Sequence, residues 1–142
     1  MSNVNTVVNY RGRSLGIIIL TAAQLLVGVI HVFFGLWLLI AGSLADSAIS
    51  AQFPLVYSVY TLVFGLLTLV FAVGIWLRTS WGWIGTFAVS LFVIVADALT
   101  LLNLSSIPGI PPSAAGVEII YSLLVLLYLS QTYVRIKYKI SK

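Results

Sequence analysis

The sequence predicts an all-α fold, an antiparallel bundle of four transmembrane helices with both chain termini on the cytoplasmic side. Of the 142 residues, 61% are hydrophobic and only 7% are charged, whereas soluble domains carry roughly 25% charged residues. The mean hydropathy is +1.16, and four apolar segments are long enough to cross a bilayer, which takes about 20 residues. The length allows a single membrane domain, residues 1–142.

The first apolar segment, about 15–40, is the longest and organises the rest of the predicted bundle. Small residues recur along it at heptad spacing, and such a stripe forms a groove in which a neighbouring helix can lie close. These residues are Ser14, Thr21, Gly28, Gly35 and Gly42. We expect the groove to be a contact within the chain rather than a dimer seam. Gln24 lies beside it and is expected to form an interhelical hydrogen bond.

The other three helices are expected at about 55–77, 82–102 and 113–134. The second carries a small and polar face that includes Gly65, at the spacing of one side of a helix. Prolines between the third and fourth segments prevent one helix from continuing through both. Tryptophan and arginine at segment ends are typical anchors at a membrane–water interface. The predicted anchors are Trp76, Trp81, Trp83, Arg78 and Arg135.

The distribution of the basic residues predicts the orientation. All seven lie in the two tails or in the connection around Arg78, and four spans place these three segments on one side of the membrane. The positive-inside rule makes that side cytoplasmic, so we expect a multi-pass protein of the cell membrane. The net charge of +4 is explained by this rule, and nucleic acid is not an expected partner.

Several kinds of chemistry are excluded by composition. Without cysteine, the chain has no disulfide, thiolate metal site or iron–sulfur cluster. One histidine cannot supply both axial ligands of a bis-histidine haem. No phosphate-binding loop or nucleophile–base pair is present. We therefore predict no cofactor, no catalytic residue and no catalytic activity of the chain's own; an enzyme would need a partner to supply cofactor ligands.

The chemistry-bearing constellation is His31, Asp97 and Glu118. At a rise of 1.5 Å per residue, the three lie at nearly the same depth, ~24, ~22 and ~25 Å from the cytoplasmic end. One hypothesis is a cluster that relays protons or holds a metal ion. The alternative, which the sequence favours, is a hydrogen-bonded pair of His31 and Asp97 that ties two helices together, with Glu118 stabilised by the N-terminus of the fourth helix.

Three stretches of the chain together resemble a family. The first is Arg13-Ser-Leu-Gly16-Ile, which leads into Gln24-Leu-Leu-Val-Gly28 and Gly35-Leu-Trp-Leu-Leu. The second is the turn Gly74-Ile-Trp-Leu-Arg78 with Trp81-Gly-Trp83, and the third is the ending Leu127-Tyr-Leu129 to Tyr138. This pattern is similar to that of small four-span integral membrane proteins of archaea and bacteria that have no assigned function. The resemblance implies the four-span fold and supplies no activity.

Two functions are expected from these features. The leading one is an accessory or scaffold subunit that packs within a larger membrane protein complex. It is indicated by short connections, small-residue helix faces and a polar N-terminal tail expected to contact a partner. The alternative is a small homo-oligomeric transporter, or a proton- or ion-conducting protein, that uses His31, Asp97 and Glu118. The expected partners are the lipid bilayer and other membrane subunits, and a homo-oligomer stays open.

Overall fold

The computed structural model describes residues 14–43, 55–104 and 109–140, and its regular structure in these ranges is entirely helical. The first four helices are long and apolar enough to cross a membrane, which indicates a multi-pass membrane protein. A short fifth helix follows. The helices are α1 Leu15–Ser43, α2 Leu55–Trp76, α3 Ser80–Leu101, α4 Pro112–Leu129 and α5 Thr132–Lys137.

Helices α1 to α4 form an antiparallel bundle in which α1 packs on α2, α2 on α3, and α3 on α4. We call the end at which α1 begins and α4 ends the tail end, and the opposite end the loop end. The helices α1 and α4 approach each other less closely than the other neighbouring pairs. Apolar packing joins them near the tail end, where Ile17 and Leu20 share a cluster with Val125 and Leu129. Among the described residues, two side-chain hydrogen bonds also link this region, Ser14 with Tyr128 near the tail end and His31 with Glu118 towards the loop end.

Glycines make the close contact between α1 and α2. A Cβ atom added to Gly65 would lie 2.7 Å from the backbone nitrogen of Val32, and one added to Gly35 would lie 2.8 Å from that of Leu62. These distances leave no room for a side chain, so the two backbones meet directly. Gly28 faces Gly65 in the same seam. A Cβ atom added to Gly42, the last glycine of the predicted groove, would meet no described atom within 4 Å.

The fourth helix ends earlier than the sequence pattern predicts. It stops at Leu129, and after Ser130 and Gln131 the chain turns into α5 instead of continuing to residue 134. The turn allows Val134 and Tyr138, both 0% exposed, to pack across the tail end of the bundle. Burial of these two side chains, four residues apart on one face, favours the fold-back over a longer straight helix.

Side chains at the tail end donate hydrogen bonds to carbonyl groups at the ends of helices. The last carbonyls of a helix have no partner within it. The Tyr138 hydroxyl donates to the Ile75 carbonyl of α2 (2.9 Å), and the Trp83 indole nitrogen donates to the Leu129 carbonyl of α4 (3.1 Å). The Ser80 hydroxyl in turn donates to the Tyr138 carbonyl (2.8 Å). These hydrogen bonds connect the tail ends of α2, α3 and α4 with the segment that follows α4.

The predicted interface anchors divide into two groups. Trp76 and Trp81 are 38% and 46% exposed, as expected of side chains that reach into the lipid interface, and Arg135 is exposed on α5. Trp83 differs, because its ring stacks on Phe87 (centroids 5.0 Å apart) and its indole nitrogen is bonded to α4. It is therefore a packing residue between α3 and α4. Arg78 lies in the α2–α3 turn with a positive φ of 57°.

Candidate functional site

A set of ionisable and phenolic side chains meets inside the bundle, nearer the loop end, with a contribution from each of the four long helices. Asp97 and Glu118 both interact electrostatically with His31 and with the two tyrosines of α2. We call this set the charged cluster. Its members are His31 of α1, Tyr57 and Tyr60 of α2, Asp97 of α3 and Glu118 of α4.

The protonation of His31 can be assigned from its partners. The ring nitrogen Nδ1 lies 2.8 Å from the Val27 carbonyl, which can only accept, so Nδ1 carries a proton. The other nitrogen, Nε2, lies 3.4 Å from Oε1 of Glu118. A neutral imidazole protonated at Nδ1 has no proton left for this second contact. The His31–Glu118 link therefore contains one additional proton, either on Nε2 of an imidazolium or on the Glu118 carboxyl group.

Asp97 is the most deeply buried acid of the described chain. Its side chain is 0% exposed, and neither carboxyl oxygen has a hydrogen-bond partner among the described residues. On insertion scales an acid at the centre of a span costs about 2.5–3.5 kcal/mol, and the cost is smaller for Asp97, which lies about one turn from the end of α3 at Leu101. A buried carboxylate is stabilised by a proton, by a cation or by hydrogen-bond donors such as water. Asp97 is thus the group among the described residues that is best placed to bind a proton or a cation.

The expected hydrogen bond between His31 and Asp97 is not formed, because Nε2 of His31 faces Glu118 instead. Helical rise fixes how far each side chain lies along its axis but leaves its direction around the axis open. The structure does bring all three predicted side chains within electrostatic range of one another. Among the described residues, no group of three or more His, Asp and Glu side chains is arranged to hold a metal ion, so the geometry gives the metal hypothesis no support.

A second polar region lies between the charged cluster and the tail end. Here the Gln24 side chain donates a hydrogen bond from Nε2 to the Thr86 hydroxyl (3.1 Å), which links α1 to α3. Around this bond is a small cavity, which we call the central cavity, with side chains from all four long helices. Its polar lining consists of Gln24, Thr68, Thr86, Ser90, Tyr121 and Ser122.

The polar interior is closed at the tail end. A cluster of buried apolar side chains lies below the central cavity, and partly buried aromatic rings, including those of Trp83 and Phe87, pack against it. We call this cluster the apolar plug. No charged residue belongs to it. Its fully or nearly fully buried members are Ile17, Leu20, Ile75, Val125, Leu129, Val134 and Tyr138.

The sequence pattern places Thr68 on the small and polar face of α2, and Thr86 and Ser90 on the polar face of α3. It does not predict that Tyr57, Tyr60, Tyr121 and Ser122 join the two polar regions. A signal was present on α2, where Tyr57 and Thr68 share the helical face of Thr61 at spacings of four and seven residues. No comparable signal marks Tyr121, because tyrosine in a membrane helix is equally compatible with packing.

The fold and the site together define a class of protein: a four-span membrane bundle with ionisable side chains inside it. Comparison of the chain with known protein families, curated proteins and solved structures found no match. The similarity to small archaeal and bacterial four-span proteins therefore stays a prediction from the sequence, as do the cytoplasmic location of the termini and the identity of the membrane.

Proposed function

We propose that this protein binds and exchanges a proton or a small cation inside the membrane, as a small transporter or ion-conducting protein, with Asp97 as the binding group. The observation that carries the proposal is the complete burial of Asp97 without a hydrogen-bond partner for either carboxyl oxygen among the described residues. A bundle that served only for packing would gain nothing from an acid in this position, since each such group opposes insertion.

The charge balance of the cluster supports exchange at Asp97. One proton within the His31–Glu118 link makes that pair neutral overall, whichever partner holds it. Asp97 then determines the net charge of the whole cluster. Two carboxylates in electrostatic range of each other repel, which favours one proton shared between them or a cation close by. Replacement of the Asp97 proton by a cation would keep the cluster neutral.

The partial exposure of His31 and Glu118 supports access to the charged cluster between α1 and α4. His31 and Glu118 remain 18% and 21% exposed, at the less closely packed contact between α1 and α4. The apolar plug closes the tail end. A second cluster of buried apolar side chains lies on the loop-end side of the charged cluster and consists of Leu38, Tyr57, Ile110 and Ala115. Among the described residues, the α1–α4 contact is therefore the most accessible approach to Asp97, and passage to either end requires one of the two apolar clusters to open.

The test is ion flux in liposomes. The purified protein is reconstituted with a pH-sensitive dye inside, and proton movement is followed after an imposed gradient of sodium or potassium. We expect flux in the wild type and its loss in Asp97→Asn. The matched control is Thr100→Val, because Thr100 lies one turn along α3 and its hydroxyl is bonded to the Ala96 carbonyl of its own helix. Equal flux in Asp97→Asn and wild type, or no flux above empty liposomes, contradicts the proposal.

The second candidate is the accessory subunit. Two apolar, concave surfaces of about 270 and 400 Å³ lie along the α1–α2 and α2–α3 contacts, and a helix of a partner could pack against either. Purification in mild detergent followed by mass spectrometry distinguishes the candidates. A partner at fixed stoichiometry favours the accessory role, whereas an isolated or homo-oligomeric species favours transport.

A further inference from the structure

The central cavity contains polar atoms that the described residues leave unpaired. Oε1 of Gln24, the hydroxyl of Thr68 and the hydroxyl of Tyr121 are all buried, and none has a hydrogen-bond partner among the described residues. Gln24 is 3% exposed and Thr68 is 5% exposed, so bulk solvent does not reach them. In a bundle surrounded by lipid, three unsatisfied polar atoms around one space indicate a ligand that pairs with all of them.

The size and the chemistry of the space identify that ligand. About 10 Å³ is open to the centre of a water-sized molecule, and one bound water needs ~10–15 Å³ by the same measure. The lining oxygens are all neutral. Gln24 Oε1 can only accept a hydrogen bond, whereas the hydroxyls of Thr68 and Tyr121 can donate or accept. A water molecule pairs with one acceptor and two hydroxyls, and three partners are typical of buried water.

We infer that the central cavity binds one ordered water molecule, held by Gln24 Oε1, the Thr68 hydroxyl and the Tyr121 hydroxyl. Its role rests on the proposed function. Tyr121 and Ser122 lie one helical turn from Glu118 on α4. The ring of Phe64 lines the central cavity and also packs edge-on against His31, with ring centroids 4.8 Å apart. The apolar plug begins on the tail-end side of the cavity, so the water lies between the charged cluster and the plug.

A hydroxyl-to-methyl substitution tests the water directly. In Thr68→Val the side chain keeps its shape and loses the hydroxyl. If the water is present, the variant removes one of its hydrogen bonds, and we expect a lower melting temperature in detergent micelles. If the cavity is dry, the variant removes an unsatisfied buried hydroxyl, and the melting temperature rises. A rise contradicts the inference.

The matched control is Thr21→Val. Thr21 is as deeply buried, at 3% exposure, but its hydroxyl is bonded to the Ile17 carbonyl of its own helix. It does not line the central cavity. The Ile17 carbonyl keeps its helical backbone donor within α1 in this variant, and a threonine bond to the carbonyl four residues earlier adds no net helix stability. We therefore expect its melting temperature to stay close to that of the wild type. If the melting temperature of Thr21→Val falls as far as that of Thr68→Val, the effect belongs to threonine replacement in general. That result contradicts the inference of a bound water.

Nuclear Overhauser effects give a readout that does not depend on stability. A water molecule with a long residence time produces a cross-peak with the labelled γ-methyl group of Thr68. In Thr68→Val, we expect the cross-peak between water and the corresponding methyl group to be weaker or lost. Absence of the wild-type cross-peak overturns the inference. A melting temperature raised by sodium chloride but not by choline chloride, with the rise lost in Thr68→Val, assigns the site to a cation and overturns it as well.

The outcomes separate this inference from the proposed function. Loss of flux in Asp97→Asn together with a dry cavity retains ion binding at Asp97 and removes only the water. A hydrated cavity in a protein without any flux supports the water as a bound molecule and contradicts the transport proposal.

Discussion

The hydroxyl group of Tyr138 donates a hydrogen bond to the carbonyl oxygen of Ile75, 2.9 Å away and 63 residues earlier in the chain. Ile75 is the penultimate residue of α2, and its carbonyl also accepts a hydrogen bond from the backbone N–H of Arg78 in the turn after the helix (3.1 Å). Through this bond the segment after α4 covers the end of α2. The tail end is thereby closed by hydrogen bonds as well as by the apolar plug.

Replacement of Tyr138 by phenylalanine tests the strength of this closure. Tyr138→Phe retains the buried ring and removes this hydrogen bond, while the Ile75 carbonyl keeps its bond from the Arg78 N–H, so the expected cost is about 0.5–1.5 kcal/mol. We expect a corresponding loss of unfolding free energy in detergent micelles. Tyr133→Phe is the control, since Tyr133 lies on the same short helix and is 48% exposed. Equal losses in the two variants would contradict a specific role of the bond.

The same residue predicts an alkaline limit of stability. Burial raises the pKa of Tyr138 to about 12, with Tyr128 adding to the rise and Arg78 opposing it, whereas an unfolded tyrosine titrates near pH ~10. Because the folded state retains the proton more tightly, this contribution is complete below pH ~10 and is lost as the pH rises towards about 12. A shift of two units corresponds to roughly 2–3 kcal/mol. The difference in unfolding free energy between wild type and Tyr138→Phe, measured from pH 8 to 12, should shrink over this range; a constant difference contradicts the assignment.

The glycine seam predicts opposite effects of the same substitution at two positions. Gly65→Ala places a Cβ atom 2.7 Å from the backbone of Val32, so α1 and α2 must separate, and we expect destabilisation of about 1–3 kcal/mol. Gly116→Ala places its Cβ in open space on α4 and should be neutral or stabilising by up to ~1 kcal/mol, because alanine favours helix over glycine. Unfolding in mixed micelles measures both. Destabilisation by both variants to the same extent would contradict the seam.

The long-range order of the bundle follows from the sequence to different degrees. The four spans depend on composition and length alone, and the close approach at Gly28, Gly35 and Gly65 depends on a spacing that is visible in the sequence. The partner of His31 depends on how each helix is rotated against its neighbours, which no spacing within one segment determines. The end of α4 at Leu129 likewise depends on the fold-back of the following segment, in which Tyr138 contacts Ile75, a residue distant in sequence.

The single histidine of the chain makes the protonation of the charged cluster measurable. With ¹⁵N-labelled histidine, we expect Nδ1 to be protonated in the wild type, because it donates to the Val27 carbonyl. The Nε2 signal should show which partner holds the additional proton. If the proton is on Nε2, the ring is an imidazolium; if it is on the Glu118 carboxyl group, Nε2 is unprotonated and accepts a hydrogen bond.

Glu118→Gln then separates hydrogen bonding from proton binding at this link. The glutamine amide can donate to a bare Nε2, so the contact is retained, but the additional proton is no longer needed. We expect a neutral ring protonated at Nδ1 and a pH titration of the cluster that binds one proton fewer, with little change in stability. Thr100→Val is the control, because it leaves all acids in place and removes only a hydroxyl that is bonded within its own helix. A wild-type ring that is neutral and protonated only at Nε2 would contradict the assignment, since Nδ1 would then have no proton to donate to Val27.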